Sequence, residues 1–119
     1  MTNLLHVYGI KNCSTVKKAL SWLEEHKIAC QFHDFKKEGL SPETLAGWVR
    51  SVGWETLLNK RGTTFRLLSD EQKSNLTEQK ACQLMLDKPS LIKRPVLEGK
   101  ELMVGFDEEL YGKFFSRLS

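Results

Sequence analysis

Within its first 35 residues the chain changes apolar period twice. Leu4-Leu5-His6-Val7-Tyr8 is a short apolar run closed by Gly9, too short for a helix, and it reads as a buried strand. After the loop Gly9-Ile10-Lys11-Asn12, apolar residues recur at Val16, Ala19, Leu20 and Leu23, the i, i+3, i+4, i+7 spacing of a helix lying on a core. Ile28 to Phe35 then reads as a second strand, so the first third is a β-α-β unit with a parallel pair. Cys13 falls where the first strand hands over to the helix.

The remainder extends this unit. Ser41 as N-cap and Pro42 at the first helical position open a helix with the stripe Leu45, Trp48, Val49 and Val52, ended by Gly53. Trp54 to Leu86 holds short helical pieces, with N-caps at Ser69 and Thr77 and one weak strand signal at Thr63-Thr64-Phe65. Pro95-Val96-Leu97 and Leu102-Met103-Val104 form an antiparallel hairpin turning through Glu98-Gly99-Lys100-Glu101, and Asp107 to Leu118 closes the chain as a helix. The expectation is an α/β domain over 1–119 with a small mixed sheet: β-α-β, a helical insert at about 41–90, then β-β-α. The length of 119 residues suits one core.

The composition, 40% hydrophobic and 28% charged, is that of a soluble globular protein. A net charge of +3 without a clustered basic stripe argues against nucleic acid. No apolar run approaches the roughly 18 residues that span a bilayer, and no basic region precedes an apolar leader, so the expected location is the cytoplasm, away from membranes. Three cysteines, Cys13, Cys30 and Cys82, make an odd count without CxxC or zinc-finger spacing, which argues against a disulfide framework. His6, His26 and His33 lack ligand spacing; they read as pairing with backbone or solvent, and no metal is expected.

Position singles out Cys13. A cysteine at a helix start meets unpaired N–H groups and the positive end of the helix dipole, which favour thiolate and lower its pKa to about 3.5–7.5 from about 8.5. Lys11 and Lys17 stand close by in sequence, and the N–H groups near Ser14 and Thr15 would cradle an anion. From position alone, a space-filling thiol and a nucleophile both remain open. Cys82, among Ala81, Leu84 and Met85, and Cys30, in the second strand, read as core residues, with Cys82 also a conceivable resolving thiol.

Three segments carry a family resemblance: Tyr8-Gly9-Ile10-Lys11-Asn12-Cys13-Ser14-Thr15-Val16-Lys17-Lys18-Ala19, Arg61-Gly62-Thr63-Thr64, and Ile92-Lys93-Arg94-Pro95. In this order and at these separations the chain resembles the ArsC/Spx family of arsenate reductase-like, thioredoxin-fold proteins, in particular its YffB-like branch. The resemblance implies a thioredoxin-like core with a helical insert. It makes Cys13 the active-site cysteine, Arg61 and Arg94 the oxyanion-binding arginines that lower its pKa, and Pro95 the cis-proline beside the thiol pocket.

Two departures shape the functional expectation. Arsenate reductases of this family carry a third arginine after the hairpin, where this chain has Gly105-Phe106, and losing a forked donor weakens an arsenate-like transition state. Spx-type regulators use a CxxC pair, whereas here Val16 occupies the resolving position. A single-cysteine cycle recruits an external thiol, most simply glutathione. The expected activity is therefore a glutathione-linked thiol reductase with no bound cofactor. Its site comprises Lys11, Asn12, Ser14, Thr15, Arg61, Arg94 and Pro95 around Cys13. The expected partners are glutathione or glutaredoxin and a small oxidised thiol or oxyanion, with the protein a monomer. The alternatives are a glutaredoxin-coupled arsenate reductase and an Spx-like adaptor that binds RNA polymerase without catalysis.

Overall fold

The computed structural model describes residues 5–99 and 101–116. Leu4, Lys100 and Leu118, which the sequence places at a strand start, a turn and a helix end, lie outside them. The chain forms two compact units, one of residues 1–33 with 94–119 and the other of Asp34–Lys93.

The first unit is built on a four-stranded mixed sheet in the order β2-β1-β3-β4. Its strands are β1 (Leu5–Gly9), β2 (Cys30–Asp34), β3 (Val96–Glu98) and β4 (Leu102–Val104). β1 and β3 pair antiparallel through Val7 and Leu97, and β3 and β4 through Leu97 and Met103. Two helices accompany the sheet, α1 (Ser14–Glu25) and α8 (Glu108–Ser116). The pleat of β1 alternates: Leu5, Val7 and Gly9 are buried while His6 and Tyr8 are half-buried. Leu5 and Val7 join Leu97, Ala19, Trp22, Leu23 and Tyr111 in one core cluster, with Cys30, Phe32 and Phe106 packed against it. Cys30 is thus at the edge of the core, half-buried.

The second unit is helical throughout: α2 (Phe35–Glu38), α3 (Pro42–Val52), α4 (Trp54–Leu57), α5 (Thr63–Arg66), α6 (Asp70–Lys73), α7 (Glu78–Asp87) and a 3₁₀ turn at Pro89–Leu91. Ser41, Ser69 and Thr77 cap α3, α6 and α7 as their chemistry dictates, each side-chain oxygen accepting a first-turn N–H. Leu45, Trp48, Leu57, Met85, Leu91 and Ile92 are buried. An isolated bridge between Leu58 and Ile92 closes the unit, with Lys93 N–H donating to the Leu57 carbonyl at 2.7 Å.

Three local expectations change. β2 stops at Asp34 because that carboxylate accepts from the N–H groups of Lys36 and Lys37, at 3.0 and 3.1 Å, and so starts a helical turn at Phe35. Helical structure therefore begins at once after β2, with Lys36-Lys37-Glu38 in α2, ahead of the insert start expected at about residue 41. Thr63-Thr64-Phe65 is helical: Leu67 N–H donates to the Thr63 carbonyl at 3.1 Å, and this local bond prevails over the β-propensity of the three side chains.

Candidate active site

The site grows from the end of β1. A Cβ on Gly9 would stand 2.8 Å from Val16 Cγ2, so only glycine lets the first turn of α1 seat this closely on the strand. The exposed turn Lys11-Asn12 follows, and Cys13 takes the N-cap position in extended conformation, φ −115° and ψ 124°. Its carbonyl accepts the first helical bond, from Lys17 N–H at 3.0 Å.

Burial and three neighbouring groups compete over the Cys13 thiol. Partial burial pushes its pKa up, but the Val16 N–H, the Arg94 guanidinium and the Thr15 N–H all favour the anion, and together they hold the thiol below its ordinary value. Cys13 makes no regular side-chain capping bond, yet the amides of Val16 and Thr15 still favour its thiolate. The other two cysteines behave oppositely. Burial pushes Cys30 up, and burial with the charge of Glu78 pushes Cys82 up. None of the three is in a disulfide.

Arg94 is half-buried immediately before β3, and its peptide bond to the buried Pro95 is cis. The Pro95 carbonyl accepts from Gly105 N–H at 2.8 Å, and the Gly105 carbonyl accepts from Tyr111 Oη at 2.6 Å. Gly105 has φ +88°, a conformation that strains any residue with a Cβ. Burial drives the Tyr111 phenol far above its usual range, so it stays a donor. A chain of contacts thus runs from α8 through the end of β4 to the peptide that carries Arg94.

Of the residues singled out by sequence, the structure gathers Cys13, Thr15, Arg94 and Pro95 in the first unit, with Ser14 in the same helical turn and Lys11 and Asn12 in the preceding exposed turn. Arg61 belongs to the second unit, exposed in a turn where its N–H donates to Asn59 Oδ1 at 3.1 Å. Sequence reasoning missed the Val16 amide and the Tyr111–Gly105 support. The former was available from spacing, since an N-cap group faces the amide three residues on. The latter joins positions that no local pattern links.

His26 bonds the Trp22 carbonyl at 2.8 Å, as expected of a helix-end histidine. His6 and His33 do otherwise: His6 Nδ1 and His33 Nε2 lie 2.9 Å apart across β1 and β2, with Tyr8 stacked on His33. Among the described residues, no three His, Cys, Asp or Glu side chains are grouped to hold a metal ion, and no helix is long and apolar enough to cross a membrane.

Residues 8–114 match the ArsC family. The solved structure of a protein named YFFB superposes with a TM-score of 0.88 at 52% identity, covering 92% of this chain and 96% of its own. The solution structure of an arsenate reductase (ArsC) related protein from Brucella melitensis has a TM-score of 0.77 at 52% identity, over 94% of each chain. The global transcriptional regulator Spx of Listeria innocua is 29% identical over 117 residues, 96% of this chain and 88% of that one.

Proposed function

The chain belongs to the ArsC family, as an arsenate reductase-like protein with a thioredoxin-like α/β fold, and from that premise we propose that it is a cytoplasmic thiol-dependent oxidoreductase working through Cys13 and glutathione. The observation that carries this reading is the opposite treatment of its cysteines: Cys13 alone is held toward thiolate, by two backbone amides and Arg94. In the proposed cycle the Cys13 thiolate attacks the glutathione sulfur of a mixed disulfide, the S–S bond breaks, and the substrate departs as a thiolate that takes a proton from water. Glutathione thiolate then attacks the Cys13 adduct, giving oxidised glutathione and free Cys13. In net terms one glutathione thiol is consumed: it joins the glutathione of the mixed disulfide as oxidised glutathione, and the substrate sulfur leaves as a thiol.

Arg94 holds the reacting anion, the Ser14 and Thr15 amides complete its cradle beside Pro95, and Lys11 and Asn12 contribute charge or polar contacts to the incoming group. Reduction of a glutathione mixed disulfide by the wild type, lost in Cys13→Ser and kept in Cys30→Ser/Cys82→Ser, tests the scheme. A Cys13→Ser protein with full turnover refutes it.

The name of the Brucella relative favours a second enzymatic reading, arsenate reduction, for which glutaredoxin would be the electron donor. Against it stands Phe106, which packs on Tyr111 with ring centroids 5.1 Å apart where arsenate reductases place an arginine. Arsenate-dependent oxidation of reductant at ordinary enzyme rates would reverse the order. The Listeria relative favours a non-catalytic transcriptional adaptor, which a pull-down recovering RNA polymerase would support.

A further inference from the structure

The face of the sheet opposite α1 and α8 carries a polar cluster that the thiol chemistry does not use. β1 sends Leu5 and Val7 into the core with residues of α1 and α8, so His6 and Tyr8 fall on the other face, half-buried. There His6 Nδ1 and His33 Nε2 lie 2.9 Å apart, and Tyr8 stacks on His33 with ring centroids 4.7 Å apart and planes at 18°. Glu98 of β3 stands opposite His6 in the register of the sheet, which puts its carboxylate on the same face. Asp34, next to His33, is engaged in capping α2, and β4 places the apolar Leu102 opposite Glu98. Within the first unit the titratable groups around the pair are therefore Tyr8 from β1 and Glu98 from β3.

A hydrogen bond between two imidazoles needs one ring nitrogen that bears a proton and one that does not. With both rings neutral, the N–H of one donates to the lone pair of the other. With one ring charged, the bond persists and gains charge assistance. With both charged, every ring nitrogen carries a proton, no acceptor is left, and two like charges face each other at hydrogen-bond distance. Glu98 offsets one of those charges but cannot restore an acceptor.

The place of the pair gives this chemistry a consequence. β2 lies at the edge of the sheet, with β1 its one neighbour among the described strands, and its five side chains are half-buried or exposed. A short strand with so little apolar burial opens more easily than the sheet's centre, so each bond across to β1 weighs on its stability. We propose that the His6–His33 pair is a proton-operated latch: it holds β2 on β1 while either imidazole is neutral and opens when both are charged, loosening this edge of the sheet in acid. Its contribution is full where one ring is neutral and is lost as falling pH adds the second proton.

Amide hydrogen exchange followed by NMR tests the latch, with rates divided by those of an unstructured chain so that the ordinary effect of pH on exchange cancels. Between about pH 8 and about pH 5, the interval in which an imidazole changes charge, protection of the β2 amides should fall roughly five- to tenfold, the scale of one net hydrogen bond, while the amides joining β1 to β3 keep theirs. His33→Gln offers His6 an amide partner that takes no proton, so β2 protection should stay level across the interval, and His6→Asn should behave alike. Glu98→Gln removes the offsetting carboxylate and should move the loss to lower pH. A further readout needs no variant: ring-nitrogen signals of the wild type should show the last neutral nitrogen of the pair gaining its proton over the same interval in which protection falls. Constant β2 protection in the wild type, an equal loss in the β1–β3 amides, or histidine variants that lose protection as the wild type does would overturn the latch.

Discussion

The hydroxyl of Tyr111 donates a 2.6 Å hydrogen bond to the carbonyl of Gly105, across six residues of chain. Tyr111 is buried in the first unit's core, and the same Gly105 bonds Pro95 through its N–H. Tyr111→Phe keeps the ring packing and strands a carbonyl, a change that costs about 1–3 kcal/mol. Urea unfolding should show that loss. Because Gly105 supports the Arg94–Pro95 peptide, the alkylation midpoint of Cys13 should also rise.

Replacing Arg94 by alanine removes both its hydrogen bond and its charge from the thiolate, while the burial that opposes ionisation remains. The pH at which Cys13 is half-alkylated by iodoacetamide should move up, and Arg94→Lys should recover part of the difference, since it returns a charge without the fork. An unmoved midpoint would assign the depression to the helix amides alone.

The three cysteines should separate by reagent. At neutral pH a limiting amount of maleimide should label Cys13 first, because its thiol is lowered while those of Cys30 and Cys82 are raised. Peptide mass mapping reads the order directly. Equal labelling would show that the local environment of Cys13 does not govern its reactivity.

Stability carries the same sign. A thiol that ionises more easily folded than unfolded adds stability that is complete above the unfolded value and is lost as pH falls through the folded one. The difference in unfolding free energy between wild type and Cys13→Ser should therefore grow in favour of wild type as pH rises through that window. A pH-independent difference would contradict the lowered thiol.

At Gly9, alanine would place a methyl 2.8 Å from Val16 Cγ2 and 3.3 Å from its Cγ1. Crowding of this kind costs about 1–3 kcal/mol, and Val16→Ala in the same chain should relieve part of it. A double-mutant cycle with no coupling would place the strain elsewhere.

Much of this was legible in the sequence, for identifiable reasons. The stripe from Val16 to Leu23 and the caps at Ser41, Ser69 and Thr77 are local signals, and each fixed an element near its observed bounds. Cys13 was visible because a strand-to-helix junction leaves amides open. What was not legible turns on a choice between competing local structures or on contacts distant in sequence. The stop of β2 turns on a choice by Asp34 between strand and cap, and the fate of Thr63-Thr64-Phe65 on the lack of a partner strand for it among the described residues. The His6–His33 contact spans 27 residues and no spacing rule reaches it.

The contacts that favour the Cys13 thiolate also set how long any adduct on it survives. In a disulfide between Cys13 and another thiol, the sulfur best able to depart is the one whose anion is better stabilised, and Val16, Arg94 and Thr15 stabilise that of Cys13. An incoming thiol therefore expels Cys13 readily, and the modified protein is short-lived wherever free thiols abound. Its lifetime becomes a gauge of thiol supply, with adduct accumulating only when that supply fails.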